Sequence, residues 1–214
     1  MTAPVRGGDR RNRVAAAILA GGRGRRLGEV DKASLLIENK SILARQLEVL
    51  TPLFSRVLLV GNREAPPPPG VVPVTDRVPP GAGPLAGLEA ALNALVPQER
   101  AVVCVAADMP FLQSGALRLL RDEAPLTAAV VPRVAGHPEP LFARYPRTAL
   151  GAVTRALAEN RLKMAALLTE LEISWLEEST LRVVDPDLRA LENINEPADL
   201  ERARAHLQRR DPSP

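Results

Sequence analysis

The chain has 214 residues, of which 46% are hydrophobic and 25% charged, enough for one large α/β unit with a full core. A net charge of +3 with only 2% aromatics argues against single-stranded nucleic acid as a partner, because bases stack on rings and rings are scarce here. No apolar run approaches the roughly 20 residues of a membrane span, no secretory apolar segment precedes the first strand, and the single Cys104 excludes an intrachain disulfide, so a cytoplasmic setting without membrane or nucleic acid is expected.

Residues 1–12, with Arg6, Arg10 and Arg11, read as a disordered basic leader; 13–208 as one domain; 209–214 as a tail. Val14 to Ala20 is a short strand buried on both faces. After the loop that follows it, Ile42, Leu43, Leu47 and Leu50 recur at helical spacing, with Ser41 as N-cap. Val57 to Val60 is a second strand, and the four prolines from Pro66 force a surface connection. Val71 to Val74 is a third strand, ending at Asp76. Pro84 to Leu95 is a helix opened by proline, and Ala101 to Ala106 is the best candidate for a buried strand, with Cys104 as a small core residue. Ser114 to Leu120 begins a helix, and Ala128 to Val131 and Leu141 to Ala143 are strands. Further on, Thr148 to Leu157 and Arg161 to Leu171 suggest helices, Arg182 to Val184 a late strand, and Pro197 to Leu207 a closing helix.

Strands alternating with helices predict right-handed crossovers and a Rossmann-like three-layer α/β sandwich with a mostly parallel central sheet. Ligands of such sheets sit beyond the carboxyl ends of the strands. That rule places the loop after the first strand, Asp76 and Asp108 on one rim.

The loop is the most telling segment. Gly21, Gly22, Gly24 and Gly28 alternate with Arg23, Arg25 and Arg26, and Asp31-Lys32 follows. Glycines let the backbone N–H groups approach a ligand closely, and guanidiniums match phosphate oxygens. The Walker spacing is absent, and the dinucleotide pattern fails because the third glycine, Gly28, comes one residue late. A nucleoside triphosphate cradle stands against the plainer alternative of a solvated Gly/Arg loop.

Asp108 follows a buried strand and precedes Met109-Pro110. Mg²⁺ takes one or two protein carboxylates and completes its shell with phosphates and waters, so Asp108 is the candidate metal ligand; the alternative is a turn-capping aspartate. Asp76 is open between metal ligation, accepting from base or ribose, and capping a turn. His137 and His206 stand apart from other ligand types, which argues against a zinc centre. His137 either lines an acceptor pocket or is a loop histidine without a role.

Laid end to end, Leu19-Ala20-Gly21-Gly22 with Arg26 and Lys32, Asp76, Gly83-Pro84-Leu85-Ala86-Gly87, Asp108-Met109-Pro110-Phe111 and Asn193-Ile194-Asn195-Glu196-Pro197 resemble the motifs of the molybdenum cofactor guanylyltransferases. The resemblance runs from about Ala15 to Leu207. It implies a nucleotidyltransferase fold and Mg²⁺-dependent transfer of GMP from GTP to the terminal phosphate of the molybdopterin cofactor. It implies that Leu19, Ala20 and Gly21 meet the guanine and ribose, with Gly22 also at the nucleotide, that Arg26 and Lys32 hold the triphosphate and with Arg25 stabilise the departing pyrophosphate, and that Asp76 lies at the nucleotide. Gly83 and Gly87 would allow a close helix–loop approach, and Asp108 would bind Mg²⁺. Asn193 and Asn195, with Arg161 or Lys163, would line the molybdopterin side. The family's base contact after the second strand would fall here to Asn62. Molybdenum-insertion proteins and apo-molybdoenzymes are the further partners that such a role implies. Two alternatives remain open from sequence: a cytidylyl- or sugar-phosphate nucleotidyltransferase of the same fold, and a non-catalytic GTP-binding adaptor that delivers cofactor.

Overall fold

The computed structural model describes residues 7–20, 32–61, 66–75 and 83–210. Its elements in chain order begin with α1 (Gly7–Arg13), β1 (Val14–Leu19), β2 (Leu36–Ile37), β3 (Lys40–Ser41), α2 (Ile42–Leu50), β4 (Val57–Val60) and β5 (Val71–Val74). They continue with α3 (Pro84–Asn93), β6 (Ala101–Ala106), α4 (Ser114–Asp122), β7 (Ala129–Val134), β8 (His137–Pro138) and β9 (Phe142–Pro146). The last third holds α5 (Leu150–Ala158), α6 (Met164–Leu168), β10 (Ile173–Glu177), α7 (Glu178–Val184) and α8 (Pro197–Arg210).

The sheet runs β10-β7-β9-β6-β1-β4-β5, with β8 paired to β7 outside that path and β2-β3 forming a small ribbon of their own. Every pair along the sheet is parallel except the two that β9 makes, with β6 and β7. A mostly parallel sheet is therefore confirmed, with one reversed strand inside it. Because β9 opposes both neighbours, β7 points the same way as β6, and their carboxyl ends share one edge.

Strands covered on both faces read as continuous apolar runs, and β1, β4 and β6 are buried at every position. Alternate side chains feed two cores. Ala16, Ile18, Leu59, Val103 and Val105 meet α2, α4 and α7; Ala17, Leu19, Leu58, Val102 and Cys104 meet α3, α5 and α6. The scarcity of rings is met by alanine and valine, which let helices sit close to the sheet. Pro73, which lacks an N–H, lies on β5, the strand at the sheet's edge. A third, smaller cluster, Ile37, Ile42, Phe111, Ile194 and Ala203, ties β2, α2 and α8 together beside the carboxyl rim.

Three expectations need correction. The leader is not without structure as far as residue 12: Gly7–Arg13 is helical, and Arg10 donates to Ala124 O at 2.9 Å. The helix expected over Arg161 to Leu171 is confined to Met164–Leu168, because Asn160 is left-handed (φ 54) and Lys163 is extended. Arg182 to Val184 is not a strand but the end of α7, where Glu178 accepts from Arg182 Nε one turn on and from Ala135 N. The late strand is instead Ile173–Glu177, which pairs with β7.

Candidate active site

The parallel register brings four strand ends level: Leu19 lies opposite Val60 and Ala106, and Val60 opposite Val74. Backbone hydrogen bonds continue one residue past them. Ala20 N donates to Val60 O (2.8 Å), Gly61 N to Val74 O (3.0 Å) and Ala107 N to Leu19 O (3.2 Å). The expected phosphate loop thus departs from Ala20, at the centre of this rim. Gly21, Gly22, Arg25, Arg26, Asn62 and Asp76 lie outside the described residues, and of Lys32 only the backbone, at the start of a 3-10 turn through Ser34, is described.

Asp108 sits half-buried in the turn that closes β6, where Met109 N reaches back to Ala106 O at 3.3 Å. From the opposite end of the chain, Ile194 N donates to Asp108 O at 2.9 Å. Ile194 is buried against Phe111, Ile37 and Ile42, so its neighbours Asn193 and Asn195 are left exposed on either side of it. Asn195 N and Glu196 N both donate to the Asp199 carboxylate in the first turn of α8 (2.8 and 2.9 Å). Two motifs 85 positions apart in the chain are therefore joined by one peptide hydrogen bond.

The amino end of α3 stands at the same rim. Gly83, its N-cap, adopts φ 66, ψ −155, a conformation essentially reserved for glycine, and Pro84 occupies the first helical position. One turn in, a Cβ on Gly87 would lie 3.4 Å from Leu19 Cδ2 and 3.8 Å from Val60 Cγ1, so the helix packs directly on the strand ends. Its N-terminal amides are oriented to favour an anion.

His137 and the basic pair lie further out. His137 is exposed at a tight β7–β8 hairpin whose central residues, Ala135 (φ 48) and Gly136 (φ 80), are both left-handed. It is on the carboxyl edge, two strands along from β6. Arg161 is held between Glu159 and Glu170 (2.7 and 2.6 Å), and Lys163 is the N-cap of α6. Leu19, Ala20, Gly83, Gly87, Asp108, Asn193 and Asn195 are thus collected around one rim, whereas Arg161 is already engaged by carboxylates.

Two residues near the rim were not legible as site residues. Gln46 is fully buried in α2, and its Nε2 donates to both Ala106 O (2.7 Å) and Met109 O (3.0 Å). Its signal was a polar side chain on the Ile42–Leu50 stripe, at i+4 from Ile42. Glu139 lies between β8 and β9, half-buried; burial pushes its carboxyl above the ordinary range, and the neighbouring His137 opposes the shift. Burial also pushes the Cys104 thiol far up, which fits a core residue rather than a nucleophile.

Among the described residues no group of three or more His, Cys, Asp or Glu could hold a metal by itself. A rim carboxylate outside any such group suits Mg²⁺ arriving with phosphate oxygens and water, and does not suit an all-protein cage. Asp108 therefore fits the ion that the sequence implies. No helix among the described residues is long and apolar enough to cross a membrane.

Comparison with known proteins follows the same lines. Residues 16–173 match the model of the MobA-like NTP transferase domain. The chain is 35% identical to a protein of Methanosarcina mazei named "Probable molybdenum cofactor guanylyltransferase", over 90% of this chain and 91% of that one. It is 31% identical to the molybdenum cofactor guanylyltransferase of Syntrophotalea carbinolica, over 88% and 90% of the two chains. The crystal structure of molybdopterin-guanine dinucleotide biosynthesis protein A from Archaeoglobus fulgidus superposes with a TM-score of 0.78 at 28% identity, over 91% of this chain and 99% of that one. The chain is a nucleotidyltransferase, and it belongs to the MobA-like NTP transferase family together with the molybdenum cofactor guanylyltransferases.

Proposed function

We propose that residues 13–208 act as one nucleotidyltransferase domain that transfers GMP from GTP to the molybdopterin cofactor, giving the guanine dinucleotide form and pyrophosphate. A terminal phosphate oxygen of the acceptor attacks the α-phosphorus of GTP in line; the bond to the β-phosphate oxygen breaks and pyrophosphate leaves. The acceptor is itself the nucleophile, so the chain needs no covalent intermediate and works by positioning and charge neutralisation. The observation that carries this reading is the hydrogen bond from Ile194 N to Asp108 O, which puts the Asn193–Asn195 segment beside the strand end that leads to Asp108.

In this reading Leu19, Ala20, Gly21 and Gly22 line the guanosine, with Asn62 and Asp76 from the neighbouring strand ends. Arg25, Arg26 and Lys32 neutralise the triphosphate as pyrophosphate departs. Gly83 and Gly87 let α3 approach the nucleotide. Asp108 holds Mg²⁺, which when bound supplies a Lewis acid and a template for the phosphates. Asn193 and Asn195 orient the molybdopterin, with His137, Lys163 and Arg161 further along the acceptor side; a phosphate at Arg161 would have to displace Glu159 or Glu170. Turnover with GTP, CTP, ATP and UTP in turn, followed as pyrophosphate release in the presence of molybdopterin, tests the proposal. GTP alone should support rapid release; preference for CTP would make the chain a cytidylyltransferase, and nucleotide binding without release would make it an adaptor.

A further inference from the structure

We infer that Gln46 is a positioning residue for Asp108, acting on the carboxylate through the main chain that carries it; this rests on the reading of Asp108 as the metal ligand. Gln46 lies in α2, 0% exposed, between Ile42 and Leu50 on the helix face that enters the core. A buried amide there is costly unless its hydrogens are used. Both go to the same four-residue turn: Nε2 donates to Ala106 O at 2.7 Å and to Met109 O at 3.0 Å. These are the first and last carbonyls of the turn in which Asp108 is third. The geometry also fixes the amide's orientation, since only the nitrogen can face two carbonyls.

Main-chain bonds also hold these four residues: Met109 N to Ala106 O within the turn, Ala107 N to Leu19 O and Ile194 N to Asp108 O. To these Gln46 adds a restraint from a side chain. Among the described residues its Oε1 is buried without a hydrogen-bond partner. A leucine or methionine would fill the same space and spare that acceptor, but it would take the amide hydrogens away from the Ala106 and Met109 carbonyls, so what the glutamine contributes at this position is its pair of bonds to the turn. What the amide provides and an apolar residue does not is a link across the turn that aims Asp108. Residues that orient a metal ligand typically change metal affinity or activity about 10–100-fold when removed.

The test compares Gln46→Met and Asp108→Asn with the unmodified chain. Mn²⁺ affinity is measured by electron paramagnetic resonance with GTP present, together with kcat, the KM for GTP at saturating metal, and the thermal midpoint. Gln46→Met should weaken Mn²⁺ binding and lower kcat roughly tenfold or more, leaving the KM for GTP within about twofold and the protein folded. In the double variant the methionine should add no further loss, because its effect passes through Asp108. Gln46→Leu, which also removes both N–H donors and adds no charge, gives the same readout should the methionine variant fail to fold. Weakened Mn²⁺ binding in Asp108→Asn with none in the Gln46 variants overturns the role of Gln46 alone. Unchanged Mn²⁺ binding in all of them overturns the reading of Asp108, and that of Gln46 with it.

Discussion

The amide of Ile194 donates to the carbonyl of Asp108 across 2.9 Å, and the Ile194 side chain packs beneath it against Phe111. The segment carrying Asn193 and Asn195 therefore cannot shift without moving the turn that carries the proposed metal ligand. In the proposed function the acceptor side and the nucleotide side then share one short stretch of main chain, which suits an in-line transfer between two bound phosphates.

Replacing Asp108 by asparagine should lower turnover by about a thousandfold, several kcal/mol of transition-state stabilisation. The thermal midpoint should change by only a few degrees, because the side chain is half-buried at a rim and not part of the core. Steady-state pyrophosphate release and a melting curve on the same preparation check both halves of this expectation.

Asp199 accepts from the amides of Asn195 and Glu196 and so fixes the exit of the Asn193–Asn195 segment into α8. Asp199→Ala removes this cap, a loss of about 1 kcal/mol by comparison with other caps. The expected kinetic signature is a raised KM for the molybdopterin acceptor with GTP affinity unchanged, read by varying the two substrates separately.

Much of this arrangement is visible in the sequence, for a physical reason. Strands buried on both faces must be continuous apolar runs, so Val57–Val60 and Ala101–Ala106 are found with their observed bounds, while Val71–Val74, a partly exposed edge strand, is delimited by the proline run before it and Asp76 after it. Ser41 caps α2 as its chemistry suggests, accepting from Ala44 N at 3.1 Å. Edge and surface elements carry weaker patterns. β10 is half-exposed Ile-Ser-Trp-Leu-Glu at the sheet's border, and Arg182–Val184, apolar enough for a strand, belongs to a helix in which Val183 is 80% exposed. The leader helix is held by Arg10 reaching Ala124 O, 114 positions away, a partner that no local window contains. At the site, Asp108 stands out because a carboxylate ends an apolar run. Gln46 does not, because its role depends on which strand end lies against α2.

Gly83→Ala should lower stability by about 1–3 kcal/mol, since a side chain at φ 66, ψ −155 is strained even though a Cβ there meets nothing within 4 Å. Chemical denaturation measures the cost. The same substitution at Gly87, inside α3 and with ordinary contact distances to Leu19 and Val60, should be far milder.

Glu139 gives the fold a pH signature. Its carboxyl is raised above the ordinary range by burial, so the folded chain keeps the proton at pH values where the unfolded chain has lost it. Stability contributed by this group therefore falls as pH rises from the ordinary glutamate pKa to the raised one. Glu139→Gln should raise the thermal midpoint at pH 7, and the gain should vanish below about pH 4. Melting curves of both chains across that interval measure it.

The most direct measurement is a diffraction structure of the chain with Mg²⁺ and a GTP analogue that cannot release pyrophosphate. The triphosphate should lie along the rim between Ala20 and Asp108, with one Asp108 oxygen about 2.0–2.1 Å from an ion that also touches the α-phosphate, and with Lys32 on the same ligand. A nucleotide bound elsewhere, or an ion coordinated without Asp108, would contradict it.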